Sequence, residues 1–117
     1  MDEEAMAEFL PEPRPDEMDL LTVLFALADP HRLHIALALA RSPDAVLPCT
    51  AFDLPVTKAT RTYHFRILRQ AGIIRQYDHG NGRSNQLRLA DLRQRFPGLL
   101  TILLAEQLTL KPASPLK

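Results

Sequence analysis

The chain has 117 residues, 46% of them apolar, and its 14 Lys or Arg are balanced by 14 Asp or Glu. That length fits one domain around one modest core, small enough that association would help to stabilise it. No apolar run reaches the roughly 18 residues of a membrane-spanning helix, and the single Cys49 excludes an internal disulfide.

The zero net charge hides an asymmetry. Residues 1–20 carry eight acids against Arg14, whereas residues 57–95 carry nine Lys or Arg against Asp78 and Asp91. A block of this kind is a better clue to a partner than the overall isoelectric point. Two readings stand: a solvated face, or a surface that meets a polyanion. The acidic start lacks the basic and apolar regions of a signal peptide, so the expected compartment is the cytoplasm.

Taken in chain order, residues 1–15 (MDEEAMAEFLPEPRP) are acidic and proline-dotted, and the composition predicts a disordered arm. The segment DEMDLLTVLFALA then reads as a helix apolar nearly all round, through Leu20, Leu21, Val23, Leu24, Phe25 and Leu27. A helix without a polar face is buried on more than one side; in so small a chain the second side is expected to be another subunit. Asp29 and Pro30 supply an N-cap and a first-turn proline for the helix HRLHIALALA, which stops near SPDA.

VLPCTAFDLPV holds two prolines and has room for one short helical turn. Thr57 caps the helix that follows, and Gly72 ends it. IIRQYD and SNQLRL flank HGNG, a strand–turn–strand signal. A last helix is expected from near Ala90; past Pro97-Gly98 its Leu99, Leu100, Leu103, Leu104 and Leu108 form a broad apolar stripe. LKPASPLK reads as a loose tail, flexible over 111–117. The expectation is a mainly α domain with a small β-hairpin, an α+β arrangement over residues 16–110.

The helix after Thr57 sorts its charge. At about 100° per residue, with Lys58 at zero, Arg69 falls at about 20°, Thr62 at about 40°, Arg66 at about 80°, Ala59 at about 100°, Gln70 at about 120° and Tyr63 at about 140°. The opposite arc holds Phe65, Ile67, Leu68 and Ala71. A face of hydrogen-bonding side chains, with a small Ala near its N-terminal end, suits insertion into a DNA major groove. His64 falls in the apolar arc and reads as a hydrogen-bonded core histidine. Arg61 lies where a hydrophobe would pack, and its direction is open. The polar hairpin tip YDHGNGRSN brings Arg83, which fits a phosphate backbone or a narrow minor groove.

At this point the sequence resembles the ArsR-type family of bacterial winged helix-turn-helix regulators. LADPHRLHIALALA is similar to the family's opening helix pattern, VTKATRTYHFRILRQAGII to its recognition helix, and HGNGRSNQLRL to its wing. The resemblance spans about residues 20–108. It implies a cytoplasmic homodimer joined through its N- and C-terminal helices, with Leu20, Leu21, Leu24, Leu99, Leu100, Leu103 and Leu104 at the contact. It further implies a repressor that binds a pseudo-palindromic double-stranded operator and is released by an inducer. Carried over by position, Thr57, Lys58, Ala59, Thr60, Thr62 and Tyr63 enter the groove, Arg66 and Arg69 meet the DNA backbone, and Arg83 sits in the wing. The sequence departs from the pattern in two places: the helix before the recognition helix is shortened to CTAFDLP, and Tyr63 and Arg61 replace residues usual in the family.

Metal sensing is disfavoured, because a thiolate or imidazole site needs three or four converging ligands. Cys49 has no nearby cysteine, and LLTILLAEQLTL holds only Glu106. His31 and His34 need help from elsewhere to share a metal. Cys49 reads as an inert thiol rather than a redox switch. No phosphate loop, nucleophile grouping or metal motif is present, so neither catalysis nor a cofactor is expected. An organic inducer of unknown identity in a pocket between the first and last helices, or no inducer at all, stays open. The competing reading is a winged-helix protein-interaction module whose basic face meets an acidic protein partner.

Overall fold

The computed structural model describes residues 8–106. They form five helices and a four-stranded antiparallel sheet, an α+β arrangement. The helices are α1 (Leu20–Leu27), α2 (Pro30–Arg41), α3 (Lys58–Gln70), α4 (Leu89–Arg95) and α5 (Leu99–Glu106). The strands are β1 (Glu8–Phe9), β2 (Leu47–Pro48), β3 (Ile74–Asp78) and β4 (Arg83–Leu87), in the order β1-β3-β4-β2. Among the described residues no single helix is long and apolar enough to cross a membrane.

The first three helices start where a short polar side chain can satisfy free amides. The Asp19 carboxylate accepts from the Thr22 amide at 2.9 Å, and α1 begins one residue on. Asp29 accepts from the His31 and Arg32 amides at 2.8 and 3.1 Å, with Pro30 in the first turn of α2. Thr57 Oγ1 accepts from the Thr60 amide at 3.1 Å and opens α3. Between Pro48 and Pro55 the chain has room for one short helical element, a 3-10 turn at Cys49–Ala51.

Gly72 closes α3 for two reasons. Its φ of +88° is costly for any residue with a Cβ. A Cβ there would also lie 2.8 Å from Met18 Cγ. The turn is bonded on both sides: the Gly72 amide donates to Arg69 O and the Ile73 amide to Leu68 O, each at 3.0 Å.

One apolar cluster joins Val23 of α1, Ile35 and Leu39 of α2, Phe65 and Leu68 of α3, Ile74 of β3 and Leu92 of α4. Phe52, from the short connection, sets its ring edge-on to Phe65 at 5.6 Å between centroids. In α1 the buried residues Val23, Ala26 and Leu27 follow i, i+3, i+4, so its other apolar side chains point outward.

The structure departs from the sequence reading in three places. Residues 8–15 fall in the segment expected as a disordered arm, yet β1 pairs with β3 (Glu8 opposite Asp78, Phe9 opposite Tyr77) and the Leu10 amide donates to Gln76 O. Their composition is poor in core-forming residues, and the partners that hold them are arginines of the body. The expected hairpin is present, but it is the centre of a larger sheet, with β1 on one edge and β2 on the other. The expected last helix is two helices, because Gly98 with φ +89° turns the chain between α4 and α5. Leu108, residues 1–7 of the arm and the tail at 111–117 lie outside the described residues.

Candidate nucleic-acid interface

α3 stands on its apolar arc. Phe65 and Leu68 are fully buried and Ile67 packs against the core, so the opposite side is free. Lys58, Ala59, Thr62 and Arg66 are exposed there, and Tyr63 is 40% exposed. The Arg66 guanidinium lies over the Tyr63 ring, 5.6 Å from its centroid, which preorganises both side chains toward solvent. Thr57 and Thr60 are partly committed, since Thr57 Oγ1 donates to Thr60 Oγ1 at 3.0 Å. Among the described residues neither Lys58 nor Arg66 forms an ion pair. The face is polar, cationic and uncommitted.

Arg69 is not on it. It is buried, donating from Nε to Gln76 Oε1 at 2.8 Å and from Nη1 to Pro11 O at 2.8 Å. The helical wheel puts Arg69 beside Lys58, but it sits three turns further on, where residues 8–15 cover the helix. Burial lowers its pKa below the ordinary arginine value, and the nearby cations Arg83 and Arg66 add to that effect. The assignment of Arg69 as a backbone contact is therefore corrected: its guanidinium holds the fold together.

The same covering segment engages three further arginines. Arg75 grips the Glu12 carboxylate through Nε at 3.0 and 3.1 Å and Nη2 at 2.7 Å. Arg88 donates to Pro13 O at 2.8 Å and pairs with Asp91 at 3.0 Å. Arg95 donates to Pro15 O at 2.7 Å and also to Met18 O. The carbonyls of Pro11, Pro13 and Pro15 thus accept from Arg69, Arg88 and Arg95 in turn.

The hairpin that follows α3 has a self-bonded tip. The His79 amide donates to Gly82 O, and Gly80, with φ +87°, takes an Asp78 carboxylate oxygen at 2.9 Å. Arg83 begins β4, half-buried, close enough to Arg69 to depress its pKa. Lys58, Thr62, Tyr63 and Arg66 thus share the exposed side of α3, whereas Arg69 is buried. Sequence reasoning left Arg61 undecided. It lies half-buried on α3, and its Nε is enclosed without a hydrogen-bond partner.

His64 is buried, with Nδ1 3.1 Å from Arg32 Nη1, the bonded core histidine expected. Arg32 also donates to Ala26 O at 2.7 Å and Phe25 O at 3.3 Å, closing the C-terminus of α1. A buried relay runs from Arg69 through Gln76 and Asn85, each link 2.8 Å, to Cys49 Sγ at 3.3 Å. Among the described residues no three of His, Cys, Asp and Glu converge as metal ligands.

Of the residues expected at a subunit contact, Leu20, Leu21 and Leu24 are exposed, at 49%, 75% and 45%, and Phe25 joins them at 56%. Leu99, Leu100, Leu103 and Leu104 are half-buried against the core, and Ile102 is the exposed apolar residue of α5. Comparison with protein-family models and with curated proteins finds no match for this chain.

Proposed function

We propose that the protein is a sequence-specific double-stranded DNA-binding transcriptional regulator of winged-helix type, acting as a dimer. The observation that carries this reading is that Lys58, Ala59, Thr62, Tyr63 and Arg66 share one exposed face of α3, which is followed in the chain by a hairpin whose return strand begins with Arg83. An α-helix with such a face fits the major groove, and the hairpin fits the flanking backbone. Lys58, Thr62 and Tyr63 read base edges; Arg66 and Arg83 neutralise phosphates. The first helix of a helix-turn-helix is reduced here to the 3-10 turn at Cys49–Ala51, so α3 is approached by a tight connection rather than a helix.

The exposed apolar side of α1 supports the dimer, since Leu20, Leu21, Leu24 and Phe25 form a surface that water does not favour. In such a dimer, two copies of α3 about 34 Å apart match half-sites one turn of duplex apart. Repression with release by an inducer is the form of regulation that the ArsR-type resemblance implies.

The test is a salt titration of binding to a random duplex, followed by selection from a random pool. Phosphate contacts give a log–log slope of about −0.9 per neutralised phosphate, and a dimeric reader enriches an inverted repeat. A module that binds only acidic proteins gives negligible duplex affinity at physiological salt, and that result ends the proposal.

A further inference from the structure

Three arginines belong to α4 and its N-cap, and two of them are committed: Arg88 and Arg95 hold the covering segment. Arg93 faces elsewhere and, among the described residues, forms no side-chain hydrogen bond or ion pair. It lines a cleft of about 100 Å³ between the end of α2, α4 and α5. Its apolar walls include Ala40, Leu92, Phe96, Leu100 and Leu104, and Thr101 adds a hydroxyl that has no side-chain partner among the described residues. A partly open cleft with apolar side chains on its walls and, among the described residues, an unpaired cation at its rim suits a molecule with an apolar body and an anionic head.

We propose that this cleft binds a short aliphatic carboxylate. A dry cavity of about 150 Å³ takes benzene, so this smaller one takes a body of about four or five carbons rather than an aromatic ring. The carboxylate meets the planar guanidinium of Arg93 and accepts from the Thr101 hydroxyl. α5 supplies one wall while burying none of its own side chains fully, so a bound molecule adds the packing that fixes this helix. Regulation through α5 rests on the reading of the protein as a dimeric DNA-binding regulator; binding in the cleft does not.

The experiment titrates the full chain with isovalerate and follows backbone amide resonances. Isovaleramide serves as the neutral isostere, phenylacetate as the oversized acid and acetate as the ionic control. The expected result is saturable shifts at Leu92, Phe96, Leu100 and Leu104, with isovalerate binding about fivefold more tightly than isovaleramide, the scale of a solvent-exposed ion pair. Arg93→Gln, an exposed position, removes that difference without unfolding the protein. Absence of saturation at millimolar isovalerate overturns the site. So do shifts centred on Leu21 and Phe25, equal affinity for phenylacetate, or undiminished acid preference in Arg93→Gln. Random-duplex affinity is measured in parallel. A change caused by isovalerate and lost in Arg93→Gln supports regulation. Binding without any change in duplex affinity overturns the regulatory half alone. No duplex affinity in the free protein sinks the proposed function while the cleft is judged on its own titration.

Discussion

Arg32 Nη1 and His64 Nδ1 meet at 3.1 Å inside the protein. A guanidinium only donates, so Nδ1 accepts, and the imidazole is neutral with its proton on Nε2. The His64 pKa is held below its ordinary value, chiefly by burial; Asp29 opposes the shift, and the cations Arg32 and His31 add to it. The sign follows from linkage. The unfolded chain takes up this proton near pH ~6.5 while the folded chain resists it, so the contribution to stability is whole above that pH and is lost as pH falls toward the depressed folded value. Melting temperatures measured between pH 7.5 and 5 should therefore fall, and His64→Gln, which keeps an acceptor but cannot titrate, should flatten that part of the curve. Parallel curves for the two proteins would show that His64 is not the responsible group.

The two arginines at the end of α3 separate function from fold. Arg66→Ala should weaken all duplexes about equally and reduce the salt slope by about 0.9, with the melting temperature unchanged. Arg69→Ala leaves Gln76 and the Pro11 carbonyl without their buried donor, a loss of about 1–3 kcal/mol. In a domain of this size that lowers the melting temperature by roughly 4–8 °C per kcal/mol. An unchanged melting temperature in Arg69→Ala, with a reduced salt slope, would restore Arg69 to the DNA face.

The covering segment should come loose through Glu12. Its carboxylate is 19% exposed and is shared by Arg75 at 2.7 Å and Arg88 at 3.8 Å. Glu12→Gln keeps the shape and removes the charge, which should cost about 1–2 kcal/mol after allowance for the half-exposed Arg75. Hydrogen exchange reads the effect locally: the Leu10 amide, bonded to Gln76 O, should lose protection well before Ile73 and Ile74 do. Uniform loss of protection would mean that the segment is part of the global folding unit.

Much of this fold is legible in the sequence wherever one local device decides the outcome. Asp29-Pro30 and Thr57 start helices, Gly72 stops one, and HGNG makes the hairpin tip, all through contacts within a few residues. The sorted face of α3 follows from periodicity alone. What periodicity cannot give is position along the axis. Arg69 shares an azimuth with Lys58 but is capped by Pro11, 58 residues earlier in the chain. The covering segment was illegible for the matching reason. Its prolines and acids signal disorder on composition, and the four arginines that hold it are distributed from residue 69 to residue 95. The break at Pro97-Gly98 was visible, but a strong leucine stripe on its far side invited the reading of one continuous helix.

Self-association should depend on α1. Leu21 is 75% exposed, so Leu21→Asp removes no core packing and places a charge in the centre of the apolar face. If that face meets a second copy, sedimentation should change from dimer to monomer with little change in the monomer's far-ultraviolet spectrum. Cooperative binding to an inverted repeat should be lost with it, while half-site contacts persist. A wild-type protein that sediments as a monomer at tens of micromolar would leave the apolar face without its proposed partner.

Gly72 is the joint between α3 and the sheet, and two independent costs meet there. A Cβ at φ +88° is worth about 1–2 kcal/mol of backbone strain. Its approach to Met18 Cγ at 2.8 Å adds an overpacking cost of about 1–3 kcal/mol. Gly72→Ala should therefore lower stability by about 2–5 kcal/mol, read as a shift in the urea midpoint at constant slope. Met18→Ala in the same chain should recover only the steric part, since removing the Met18 side chain does nothing for φ, so the double mutant should be less destabilised than the sum of the two single mutants. Strict additivity would mean that Met18 moves aside freely and that φ alone requires glycine.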